Sequence, residues 1–407
     1  MNQETLTMSH KETTRLIMME RVMDGSITLT DAAERMGISL RQAIRIKQRF
    51  ARWGAGGLVH RSRGRLSNRR LPEPLRREAL ALYREHYADF GPLLAAEKMA
   101  QRDGLQVHPE TLRRWLIGAC LWSGRSRWRR HRRRRTRRER FGEMVQIDGS
   151  DHEWFEQRGP RACLMVMVDD ATGRIMLHMA AAETTRDALV VLRKWVGRYG
   201  APAALYADRK SLYFSLQALH NPAKRNDPWA LSDFAQVAHR LGIAMIPAGS
   251  PQAKGRVERK NGLLQDRLVK ELRLRAISTV EQANAMLDEF ADQMDQRFAV
   301  APVHPADAHR VVPADPERLD ELFGVDRRRC VARDHTFSLE GVCWQIVAQP
   351  DAPAPGSRVI VRRALDGRIG CLFNGRPLRI EPVGPSPARW AQQEAAPGGF
   401  APLATPG

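Results

Sequence analysis

The stretch Arg125–Arg140 reads RSRWRRHRRRRTRRER and constrains this chain most strongly, because a block of like charge can neither build nor enter an apolar core. It stays in solvent or is neutralised by a polyanion, so the chain must fold as separate bodies on either side of it. With 407 residues there is room for two or three such cores. The rest of the chain carries the same sign: 66 Lys+Arg against 46 Asp+Glu leave a net charge of +20. A surface of that charge attracts polyanions, nucleic acid first among them. Contact of this block with six phosphates would give a log–log salt slope of about −5.

Other classes fall away. No run approaches the roughly 18 apolar residues of a membrane span, and Met1–His10 lacks the charged start and apolar stretch of a secretory signal. A cytoplasmic, nucleoid-associated protein without a membrane partner is expected. The cysteines Cys120, Cys163, Cys330, Cys343 and Cys371 are never spaced as Cys-x-x-Cys, so they read as small buried thiols rather than disulfides or a zinc site.

Before the arginine block the pattern is helical. Ser9-His10-Lys11-Glu12 has the form of a capping box opening a helix to Met23. Thr30 is placed to cap a short helix Asp31–Met36, Gly37 to turn the chain, and Ser39 to cap Leu40–Trp53. This is helix-turn-helix spacing: Ala32, Ala33, Ile38, Ile44 and Ile46 offer an apolar seam, while Arg41, Arg45, Lys47 and Arg49 face a DNA groove. A basic arm, Arg61–Arg70, follows. A second helical pair, Pro92–Gln101 and Pro109–Ile117, brings Arg113 and Arg114 as further contacts, and Arg129 and Arg132 in the arginine block complete the expected DNA-binding set in this half.

Beyond the block the period changes to that of strands: Met144–Ile147, Ala162–Val168 and Arg174–Met179, the last two joined by an Asp169–Gly173 turn whose aspartates read as structural. A helix Arg186–Tyr199, a strand Ala204–Ala207, a helix Ser232–Leu241 and a strand Ala244–Pro247 follow, making an α/β layer. A helix from near Gln252 closes it. The expected fold class is multi-domain. Residues 1–70 form a helix-turn-helix domain with its arm, 71–124 a second such unit, and 125–142 an arginine-rich linker. The α/β core spans 143–297, a linker 298–326, a small β-barrel 327–383 and a disordered tail 384–407.

Three acids stand out. Asp148 ends the first core strand, Asp208 ends the strand Ala204–Ala207, and Glu258 lies on the helix after Gln252 with Lys254 and Asn261 on its face. Converging, they would give hard oxygen ligands for two Mg²⁺ ions, with Mn²⁺ as substitute, and support in-line displacement at phosphorus. Singly each has a bland reading as a turn cap or a solvated ion pair.

The motifs QIDGS around Asp148, VDDATGR, YADRKSLYF around Asp208, SPQAKGRVERKNG around Glu258 and RFAVAPVHPADAHR resemble those of bacterial insertion-sequence transposases of the DDE, retroviral-integrase-like superfamily with a Mu-transposase-like C-terminal barrel. The resemblance spans Thr28 to about Val383. It implies an RNase H-like core in which Asp148, Asp208 and Glu258 form the catalytic triad and bind the metal. It also implies that Lys254, Arg256 and Lys260 hold the phosphodiester, and that the protein acts as a homo-oligomer on double-stranded DNA. First water hydrolyses a strand at the element's end, and then the freed 3′-hydroxyl attacks target DNA. Two departures accompany it. The interval from Asp208 to Glu258 is long, leaving Asp227 and Asp233 as rival ligands, and no His/Cys zinc module precedes the core. The competing readings are an inert DNA-binding regulator of the element and a structure-specific nuclease.

Overall fold

The computed structural model describes the chain except for residues 1–6, 61–62, 64–69, 124–135, 222, 225–226, 250–254, 313–314 and 386–407. It divides into two units, Met1–Arg125 and Ser126–Gly407.

The first unit is helical. Helices α1 (His10–Met23), α2 (Leu29–Met36) and α3 (Leu40–Trp53) close around Met19, Ala32, Ile46 and Leu58. Ser9 and Glu12 form the expected capping box. The cap of α2 is Thr28 rather than Thr30, because Asp31 at its third position answers with a reciprocal bond to Thr28. Gly37, at φ +63°, makes the turn, and Ser39 caps α3. The seam also differs at one residue. Ala43 is buried, whereas Ile44 is 41% exposed, one helical step round toward the arginines. Helices α4 (Glu73–His86), α5 (Pro92–Arg102) and α6 (Pro109–Gly118) pack around residues that include Tyr83, Phe90, Met99 and Leu112, all fully covered.

The second unit is built on a five-stranded sheet ordered β3-β2-β1-β4-β5, from β1 (Val145–His152), β2 (Ala162–Asp169), β3 (Ile175–Ala180), β4 (Ala204–Ala207) and β5 (Ala244–Pro247). The first three strands pair antiparallel, while β1 with β4 and β4 with β5 run parallel. That order and sense are those of the RNase H-like core expected from the resemblance. Alternation splits β2 between two cores. Cys163, Met165 and Met167 face α7 (Thr185–Tyr199) and α9 (Asp233–Arg240), whereas Leu164, Val166 and Val168 face α10 (Gly255–Leu274) and α11 (Val280–Phe298). Between β4 and α9 lies the short helix α8 (Leu216–His220). Asn284 of α11 both donates to Met179 O and accepts from Met179 N at 2.8 Å, satisfying backbone groups on edge strand β3.

The segment read as a linker at 298–326 is not free. Arg310 and Ala201 exchange backbone hydrogen bonds, and His309 stacks edge-on against Phe141 and accepts from Trp195 Nε1 at 3.0 Å. Helix α12 (Pro316–Leu322) then leads into Phe323, buried in the α7/α9 core. The aromatic residues Phe141, Trp195 and Tyr199 require a cover, which a proline- and alanine-rich composition did not reveal.

The C-terminal strands form two sheets around one core rather than a closed barrel. One is ordered β11-β10-β9-β6 and the other β12-β8-β7, from β6 (Val325–Cys330), β7 (Thr336–Leu339), β8 (Val342–Ile346), β9 (Arg358–Arg363), β10 (Ile369–Phe373), β11 (Arg376–Leu378) and β12 (Ile380–Pro385). Val331, Phe337, Leu339, Val359 and Cys371 fill the space between them. The Asn374-Gly375 hairpin is confirmed by the Phe373↔Arg376 pairing, with positive φ at both turn residues. Of the cysteines, Cys163 and Cys371 are buried as expected and Cys343 is half-buried. Cys120 and Cys330 are exposed, because each lies at an element's end where no core reaches it.

Candidate active site

Parallel pairing of β1 with β4 places Gln146 opposite Tyr206. Asp148 and Asp208 each stand two residues beyond that pair, the alternation that puts both on the Gln146–Tyr206 side of the sheet, with Asp208 just past the end of β4. The expectation that Asp148 ends its strand needs correction. Strand β1 continues to His152 because its ladder with β2 runs on to Ala162, while β4 stops at Ala207. Asp148 is therefore mid-strand on one side and stands at an open edge on the other.

Helix α10 lies along that face. Val257 N donates to Gln146 Oε1 at 3.3 Å, Asn261 Nδ2 to Asp148 Oδ2 at 3.2 Å, and Gln265 Nε2 to Ser150 Oγ at 3.2 Å. Every four helical residues rise about 6 Å and every two strand residues about 6.6 Å, so one stripe of the helix stays in step with one face of the strand. Glu258 follows the first tie and precedes the second by three residues. It is exposed, on the turn that runs from the Gln146 tie to the Asp148 tie. Among the described residues, no three His, Cys, Asp or Glu side chains form a group that could hold a metal ion.

A cation and a second acid border the pair. Lys210 Nζ donates to Glu183 Oε2 at 2.5 Å. Burial works against its charge, but the Glu183 bond and the charges of Glu183, Asp148 and Asp208 outweigh it and raise its pKa. Glu183 also accepts from the hydroxyl of buried Tyr213 at 3.3 Å. It lies over Gly149, where a Cβ would stand 2.7 Å from Glu183 Cδ. Burial, reinforced by Glu183 and Asp148, holds the Tyr213 hydroxyl protonated.

Two basic residues of α10, Arg256 and Lys260, are turned inward, whereas Arg259 is exposed. Arg256 forms an ion pair with buried Asp170 at 2.7 Å. Lys260 lies over the Phe298 ring at 5.9 Å, and burial lowers its pKa although Asp295 opposes the shift. The helix face that follows β1 carries neutral amides, and Arg256 and Lys260, expected to hold the phosphodiester, fall on its flanks, where they meet Asp170 and Phe298. Lys254 lies outside the described residues, as do Arg129 and Arg132.

The aspartates of the β2–β3 turn are structural in geometry. Asp169 accepts from Gly142 N at 3.0 Å and from Thr172 N and Oγ1 at 2.7 Å, and burial raises its pKa. Asp170 accepts from Arg138 N at 2.8 Å and Gln146 Nε2 at 2.9 Å. The rival acids are committed elsewhere: Asp233 pairs with Arg327 of β6 at 2.5 Å, and Asp227 caps a turn by accepting from Trp229 N. The long interval before Glu258 carries Trp229, over which the Arg328 guanidinium sits at 3.9 Å, so this insertion meets the C-terminal sheets.

In the first unit Arg41, Arg45, Arg49 and Arg52 line one open groove along α3 with Ser39 and Trp53. Arg113 and Arg114 are on one side of α6, both paired to Glu110, at 2.7 and 3.2 Å. Lys210, Glu183 and Asn261 were not assigned roles from sequence. The available signal was Gly149, since a glycine inside a strand marks a close approach by a neighbour.

A family model described as winged helix-turn helix matches residues 16–77. The protein y4bF of Sinorhizobium fredii (strain NBRC 101917 / NGR234), whose name marks it as a transposase, is 40% identical over 377 residues, 92% of this chain and 81% of that protein. The transposase for insertion sequence IS1202 of Streptococcus pneumoniae is 26% identical over 70% of this chain and 68% of its own length. Among solved structures, the HTLV-2 integrase catalytic core domain in complex with magnesium aligns over 42% of this chain and 98% of its own, at 16% identity and a TM-score of 0.31. A chain of the simian T-cell lymphotropic virus intasome aligns over 69% of this chain and 96% of its own, at 16% identity and a TM-score of 0.33. Overlays this loose add nothing to the strand order, but the identity to y4bF runs through both units: the chain belongs to the family of bacterial insertion-sequence transposases.

Proposed function

We propose that the chain binds the ends of its own mobile element, cuts a strand there and joins the freed 3′ end to target DNA, with Asp148, Asp208 and Glu258 as the working acids. What supports this reading is the Gln146–Tyr206 pair two residues before Asp148 and Asp208, together with the bond from Asn261, on the helix that bears Glu258, to Asp148. Carboxylate oxygens are the donor type that Mg²⁺ or Mn²⁺ prefers, and the acidic pair opens where β4 ends. A pair of such ions held there would neutralise charge at phosphorus and activate the attacking oxygen.

The residues of the chain do the rest. Asn261 orients the Asp148 carboxylate, and Gln146 ties α10, the helix of Glu258, to the sheet. The α3 arginines Arg41, Arg45 and Arg49 read or grip the element's end, Arg113 and Arg114 extend the contact, and the arginine block follows phosphates. Two ends must be brought together before joining, so the working form is a homo-oligomer on double-stranded DNA.

Purified protein incubated with Mg²⁺ and a plasmid carrying its gene with native flanks tests this. Mapped 3′ ends bracketing the gene for wild type, absent for Glu258→Gln, are expected. Tight binding to the flanks without any discrete ends would replace this reading with that of a DNA-binding regulator.

A further inference from the structure

We infer that Lys210 is a substrate-positioning cation of this centre, held beside the acids by Glu183 until DNA arrives. The inference rests on the proposed role of Asp148 and Asp208. Both residues of the pair are seated rather than loose. Glu183 is 13% exposed, packed over Gly149, bonded by the Tyr213 hydroxyl and by Lys210. Gly149 directly follows Asp148, so the space Glu183 occupies exists only because that position has no Cβ. Lys210 follows Asp208 by two residues, is 44% exposed, and its ammonium is bonded to the carboxylate that lies over Gly149.

This arrangement has a chemical consequence. Metal ions held by the acids would neutralise the carboxylates and the phosphate being cut, whereas a phosphate flanking them needs a cation of the protein. Arg256 is paired with Asp170 and Lys260 lies over Phe298, so of the cations with a described partner near the acids Lys210 is the one fixed from the acidic side, while the neighbouring Arg209 is exposed. An ammonium has three donors and a flexible stem. Lys210 can keep one bond to Glu183 and direct another to a phosphate oxygen next to the acidic pair. Glu183 then acts as a positioning residue: it fixes where the Lys210 stem stands and stops the ammonium from collapsing onto Asp148 and Asp208.

The test is a cycle on the full-length protein with a duplex bearing the element's end. Cutting rates in Mg²⁺ are compared for wild type, Asp208→Asn, Lys210→Gln, Lys210→Arg, Glu183→Gln and the Glu183→Gln/Lys210→Gln double variant. Duplex binding is measured against salt in EDTA. Lys210→Gln is expected to slow cutting about tenfold or more at an unchanged melting temperature. Its log–log salt slope should be shallower by about 0.9, one phosphate's worth. Lys210→Arg should recover part of the rate, and the double variant should be as slow as Lys210→Gln. Recovery of the double variant to the wild-type rate would show that Lys210 merely neutralises Glu183, and would overturn the inference. So would a Lys210→Gln protein that cuts and binds like wild type while Asp208→Asn does not cut. Wild-type cutting by Asp208→Asn would overturn the reading of the centre, and this assignment with it.

Discussion

Replacing Asp170 by Asn separates the acids that hold the fold from those placed at the open sheet edge. Asp170 is fully buried, and its carboxylate takes up Arg138 N, Gln146 Nε2 and the Arg256 guanidinium. Asn keeps one acceptor oxygen but turns an NH₂ toward a set of donors and leaves Arg256 without its charge partner. Breaking a buried ion pair from one side costs about 3–5 kcal/mol. Arg256 retains 19% exposure, so the lower end, about 3 kcal/mol, applies. At about 2–4 °C per kcal/mol for a body of this size, the second unit should melt roughly 6–12 °C lower. Asp208→Asn, at a half-exposed strand end, should shift melting by less than about 2 °C yet abolish cutting. The assay is thermal unfolding by circular dichroism beside the plasmid-cutting reaction. An Asp170→Asn protein that melts within about 2 °C of wild type but cannot cut would place Asp170 in the chemistry and refute the division.

Burial pushes Asp295 up to about 6, with Lys260, Arg174 and Arg198 pulling the other way. A folded pKa above the unfolded value contributes stability that is complete below the unfolded pKa, about 4, and lost as pH rises through about 6. Asp295→Asn can still accept from Ile175 N, so it should melt higher than wild type above about pH 7, with the difference shrinking below about pH 5 in pH-resolved melts. Gly200 sits at φ +98° with Arg310 O 2.6 Å from where a Cβ would be. Gly200→Ala should therefore lose about 1–3 kcal/mol and loosen the strap at Arg310, read as faster proteolysis between residues 299 and 312.

Much of this protein was legible from sequence because the deciding physics is local. The cap at Ser39, the turn at Gly37, the hairpin at Asn374-Gly375 and the strands Ala204–Ala207 and Ala244–Pro247 follow from propensity, alternation and turn chemistry, which act over a few residues. The three acids are candidates from sequence because each sits in a recognisable local motif, and the arginine block divided the chain by charge alone.

What surrounds those acids depended on tertiary structure. The pairing of Gln146 with Tyr206 joins segments about sixty residues apart, and only the sheet order brings the strands that lead to Asp148 and Asp208 side by side. Helical spacing put Lys260 near Glu258, but not which side of α10 would be covered; packing against Phe298 decided that. Nor could composition show that residues 299–312 are bound to the core, or that the last strands close as two sheets. Local sequence sets which elements form and which residues they display. Burial and long-range hydrogen bonding decide which displayed charges face solvent and which are spent inside, because an ion's fate depends on the partner and the dielectric it finds only after folding.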